Sequence, residues 1–159
     1  YLWRRYKDDI FFIWRASVGD LEAFMEFIND QHPYIKFTAT YDSTTKTIPF
    51  LDMSVSINDD GLLEIYLYRK ETAKVQYLQT ASCHPAHITK NIPFSLGFNI
   101  KRICSKEEDF KIRLEQLRQY LLSRSYPPKI IDDAFKRVIK INRLEAIKRV
   151  TKTKEDTRY

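Results

Sequence analysis

The hydrophobic pattern of this chain changes period once, near residues 71–84, and that change limits the folds open to it. Before the change, apolar residues alternate with polar ones or come in short β-branched and aromatic runs. After it they recur every three or four residues, the spacing of one face of a helix. Charge changes in the same region. Residues 1–83 carry 9 Lys and Arg against 12 Asp and Glu, while residues 84–159 carry 18 against 9. The expected class is therefore α+β: antiparallel hairpins with one helix, then a basic all-helical part, with a polar tail over 151–159. A composition that is 43% hydrophobic excludes a globally disordered chain. No apolar run approaches the ~20 residues of a membrane span, so no membrane partner is expected. The opening residues YLWRRY carry neither a Met nor a leader pattern and read as the interior of a longer polypeptide.

The N-terminal part reads as strands over 1–6 and 10–15 around a KDD turn, followed by a helix over 20–31. Leu21, Phe24, Met25 and Ile28 share one face of that helix, with Asp20 as its N-cap. Three β-like segments follow, over 34–42, 47–57 and 62–70. NDDG at 58–61 supplies a hairpin turn within 48–69. Beyond residue 82 two short helices are expected, the second opened by Pro93. A capping box from Ser105 to Glu108 then starts a helix with the stripe Phe110, Leu114, Leu117 and Leu121. The prolines at 127 and 128 start a last helix. Ile131, Ala134, Val138 and Ile141 face one way along it, and Lys136, Lys140 and Arg143 another.

Cys83 and Cys104 fit no metal or disulfide framework and read as reduced thiols of an intracellular protein, with a bridge between them left open. Cys83, His84 and His87 have no standard zinc spacing and are read as helix-start and packing residues. The +9 excess after residue 83 points to a polyanion such as nucleic acid, or to a solvated helical surface.

Three Asp-Asp pairs occur. Asp59-Asp60 precedes Gly61 and is turn chemistry; Asp132-Asp133 is assigned to a first helical turn, where it complements the dipole. Asp8-Asp9 lies between apolar runs with no glycine nearby. Two carboxylates there repel unless a cation intervenes, as in two-metal phosphoryl transfer, or unless the turn is simply exposed to solvent.

The box Tyr6-Lys7-Asp8-Asp9 is similar to the Y-x-D-D box of reverse transcriptases. After it come IKFT, IPFLD, LYRKET, SCHPAH, IP and RICS in that order. Over residues 4–127 this succession resembles the Penelope-like retroelement reverse transcriptases. The resemblance implies that 1–70 is the end of a polymerase palm, with a Y-x-D-D hairpin and a primer-grip-like hairpin, and that 71–150 is a helical thumb and the start of a linker. It implies RNA-directed DNA polymerase activity with Mg²⁺ (or Mn²⁺) on Asp8 and Asp9. Lys36 would be the acid for pyrophosphate, with Lys46 as the other candidate. Nucleic-acid contacts would come from Tyr6, Lys7, Arg69, Lys70, Lys101, Arg102, Lys136, Lys140 and Arg143. Its implied partners are an RNA template and DNA primer, held as an RNA–DNA hybrid, and a dNTP. Upstream fingers and palm, a downstream GIY-YIG endonuclease and a nuclear location complete the expectation. This segment alone would be inactive, because the third carboxylate lies upstream. Lys7 and Glu71 depart from the family pattern. A non-catalytic nucleic-acid-binding remnant of a degenerate element is the alternative, and a purely structural helical module is a third.

Overall fold

The computed structural model describes residues 2–148 apart from 43, 71 and 73–75. The expected polar tail and Glu71 therefore lie outside the described residues. Strands β1 (Trp3–Tyr6) and β2 (Asp9–Phe12) form an antiparallel hairpin that closes on Tyr6 opposite Asp9. The turn is Lys7-Asp8 alone, so Asp9 belongs to a strand rather than to a KDD turn. Lys7 takes φ 54, a left-handed conformation that a lysine adopts at a cost.

Helix α1 (Val18–Asp30) starts two residues earlier than expected. Its N-cap is Ser17, and Asp20 is the N3 member of a reciprocal capping box. The predicted face holds: Leu21 is buried and Phe24, Met25 and Ile28 are half-buried. Phe24 packs against the rings of Trp3, Phe12 and Trp14.

Residues 34–42 form no strand. The Asn29 side chain of α1 takes both backbone groups of Phe37, accepting from its N–H at 2.6 Å and donating to its carbonyl at 2.9 Å. Asp42 then turns the chain by accepting from the amides of Thr44 and Thr45. The 47–57 segment is likewise not one strand. It divides into β3 (Thr47–Phe50) and β4 (Met53–Ile57) around a two-residue turn, with Leu51 at φ 53. A turn of this geometry usually carries glycine, and none stands here. Strand β5 (Leu63–Leu67) completes a three-stranded sheet in the order β3-β4-β5, with Gly61 at φ 78 in the turn before it.

Helix α2 runs unbroken from Ala86 to Ile103, with Pro93 inside it rather than at the start of a second helix. Thr89, Pro93, Gly97, Ile100 and Ile103 make one continuous buried stripe, and that packing offsets the hydrogen bond the proline removes. Helices α3 (Glu107–Ser123), α4 (Pro128–Ile139) and the short α5 (Arg143–Ile147) follow. Ser105 does not cap α3. Its hydroxyl accepts from the Ile65 N–H at 2.9 Å and its own amide donates to the Ile65 carbonyl at 2.8 Å, which joins β5 to the helices. Glu64 and Lys106 form an ion pair beside it at 2.8 Å, and that contact holds the Glu64 carboxyl below its ordinary range.

The core lies in α2–α4. Phe110, Leu117, Leu121, Ile131 and Val138 are fully buried there, whereas Leu21 is the one buried hydrophobic residue described before residue 84. Cys83 is exposed and Cys104 is buried, and both are free thiols. Burial first, and then the neighbouring Asp109 carboxylate, pushes the Cys104 thiol up to about 12.

The link between α3 and α4 is a Schellman turn. The Tyr126 amide donates to the Leu121 carbonyl at 3.1 Å and the Ser125 amide to the Leu122 carbonyl at 2.9 Å. Tyr126 and Leu121 are both buried, which supplies the apolar contact of the motif. Ser125 occupies the left-handed position at φ 62. Removing its Cβ relieves a strain of ~1–2 kcal/mol, partly offset by the greater freedom of glycine in the unfolded chain. Ser125→Gly is therefore expected to raise stability by about 0.5–1 kcal/mol, read as a shift of the urea midpoint at unchanged slope.

Candidate nucleic-acid interface

Residues 76–148 carry 14 Lys and Arg against 7 Asp and Glu, and α4 arranges its share on one side. Its buried face is Ile131, Ala134, Phe135 and Val138. Lys129, Asp133, Lys136 and Lys140 are exposed. They are spaced by four, three and four residues, so they lie along one stripe opposite that face. The helix is well anchored beneath them. Pro128 fixes its first turn, and the Arg137 guanidinium lies 4.3 Å over the Phe94 ring of α2. Arg118 of α3 donates to Asp132 at 3.0 Å and neutralises it.

The arrangement is two helices joined by a tight four-residue turn, the second presenting a cationic outer face and the first, with α2, holding it from behind. Residues 76–136 match the family model of the animal helix-turn-helix domain. The match covers well under half of the chain and takes in α2, α3 and most of α4. No curated protein and no solved structure matches the chain.

The helix-turn-helix match overturns the Penelope-like reverse-transcriptase reading. The matched segment is similar to a DNA-binding type of helical domain, where a polymerase thumb was expected. Polymerase activity and the retroelement and magnesium assignments fall with that reading. Nucleic-acid binding, the alternative drawn from the basic half, is the function that the match favours.

The sequence-selected residues separate accordingly. Lys136, Lys140 and Arg102 are exposed on the helical half. Arg143 opens α5 instead of extending the α4 face, and donates to the Ile103 carbonyl at 3.3 Å. Lys101 turns inward: it is 7% exposed, pairs with Glu107 at 2.9 Å and lies 4.2 Å over the Phe110 ring, so its charge faces the core rather than a polyanion. Arg69 is held by the Tyr77 hydroxyl at 2.8 Å and lies over the Tyr120 ring, tying the sheet to the helices.

Tyr6, Lys7, Asp8 and Asp9 stay together at the first hairpin, where Asp8 is in the turn and Asp9 pairs with Tyr6. Asp9 shares a hollow with Tyr6, Asp52 and Lys70, and Lys36 donates to the Asn29 carbonyl. Among the described residues, no group of three or more His, Cys, Asp or Glu side chains is placed to hold a metal ion, and Cys83, His84 and His87 do not form one. No helix among them is long and apolar enough to cross a membrane.

The sequence reading missed Lys129, Arg118 and the continuity of α2. The signal for Lys129 was present: it stands four residues before Asp133 and seven before Lys136.

Proposed function

We propose that the helical half binds double-stranded DNA through the outer face of α4, seated as the second helix of a helix-turn-helix. In that geometry the second helix enters the major groove and the first crosses the backbone. The observation that carries the reading is the exposed stripe of Lys129, Lys136 and Lys140, set opposite the buried stripe of α4, a helix of which the matched segment takes in all but the last turn. Lysines act as point charges toward phosphate and position the duplex.

Affinity of the full chain for a DNA duplex is expected to fall steeply and linearly on a log–log plot against salt, measured by fluorescence anisotropy. Lys136→Ala should lower that slope by about 1 and weaken binding alike on unrelated sequences. A flat salt response overturns the reading.

A further inference from the structure

We propose that Asp133 determines sequence preference at this face by accepting a hydrogen bond from the exocyclic amine of a cytosine in the major groove. The inference rests on the helix-turn-helix reading above.

Asp132 and Asp133 are neighbours in sequence with different surroundings. Asp132 is paired with Arg118 at 3.0 Å. Asp133 is exposed and has neither an ion pair nor a side-chain hydrogen bond among the described residues. This holds although Lys129, Lys136 and Arg137 stand within four residues of it, and Arg137 is engaged with Phe94 instead.

The dipole explanation expected from sequence does not apply. Helix α4 begins at Pro128 and its first turn contains no acidic residue, while the dipole effect decays within that turn. Asp133 therefore sits unneutralised in the middle of a lysine stripe. Toward phosphate it is repulsive, and a face built only to track the backbone gains nothing from it.

Against base edges its chemistry is selective. A carboxylate only accepts, so it is repelled by guanine O6 and N7 and by thymine O4. Adenine offers an amine beside the N7 acceptor, which suits an amide better than a carboxylate. Cytosine N4 offers a donor without that adjoining acceptor on the same base, and it is the established partner of Asp and Glu. Asp133 lies one turn beyond Lys129 on the same stripe, sixth of the twelve residues of α4, on the helix that this type of docking lays in the major groove.

The test is selection from a duplex library with a randomised centre, using the full chain, Asp133→Ala and Lys136→Ala. The native chain is expected to enrich one C·G pair at a fixed position, preferring it over T·A by about tenfold. Asp133→Ala should lose that preference and bind arbitrary duplexes more tightly. Lys136→Ala should keep the preference and weaken every sequence. Enrichment of the same pair by Asp133→Ala overturns the assignment. Salt-dependent binding by the native chain with no enriched position also overturns it and leaves the DNA-binding reading standing. Absence of duplex binding overturns both.

Discussion

Phe110→Ala is expected to lower the free energy of unfolding by about 4 kcal/mol. The ring is 1% exposed at the start of α3, where the ends of α2 and α3 meet, so truncation removes its transfer energy and leaves a cavity. The loss is sharpened by Lys101, whose ammonium lies 4.2 Å above that ring in a buried position. Without the π face, a nearly buried charge keeps only Glu107 as its partner. Against a typical total of ~5–15 kcal/mol, this consumes a large share of the stability of the helical half. Denaturant unfolding followed by helical circular dichroism reads the effect. A change under about 1 kcal/mol would show that the packing of α3 on α2 is not what holds these helices together.

The second large effect belongs to Gly97. A Cβ built there meets Val138 Cγ2 at 3.3 Å, Leu114 Cδ1 at 3.4 Å and Phe135 Cε1 at 3.7 Å, which places this residue of α2 directly against side chains of both α3 and α4. Gly97→Val adds two methyl groups beyond that Cβ, into space already filled by three side chains. The expected cost is about 3 kcal/mol, from displaced rotamers and helix separation. It also shifts α4, so duplex affinity should fall together with stability. Gly97→Ala is the control. Its gain in helix propensity of ~1 kcal/mol opposes the tight contacts, and a small net change is expected. A valine variant as stable as the native chain would mean that the helices are not packed at this distance.

The helices were the most legible part of the sequence. The stripes of α3 and α4 are buried as their spacing requires, because a helix is specified by local periodicity that Phe110, Leu117, Ile131 and Val138 supply. Pro93 misled because proline is a local stop signal, whereas its tolerance in α2 is a tertiary fact, set by the stripe it shares with Thr89 and Gly97. Ser105 misled in the same way: four residues spell a capping box, but a strand distant in sequence claims the hydroxyl first. The turn at Leu51 and the unpaired course of 34–42 were illegible, since neither carries the glycine or the hairpin spacing by which such features announce themselves. At the site, charge sign and helix face were readable from Lys136 and Lys140. The inward fate of Lys101 was not, because one position on a basic helix face looks like the next until the neighbouring helix is placed.

The small sheet has a property that concerns self-association rather than binding. The Ile57 amide donates to the Lys46 carbonyl, which sets the alternation along β3 and leaves Pro49, opposite Ser54, with its nitrogen turned away from β4. That outer margin therefore lacks a donor where a foreign strand would need one. On the other margin, the free amide and carbonyl of Ile65 are both taken by Ser105. Each border of the sheet thus loses part of its template, one by a missing hydrogen at Pro49 and one by occupation at Ile65, which weakens both margins as sites of edge-to-edge aggregation.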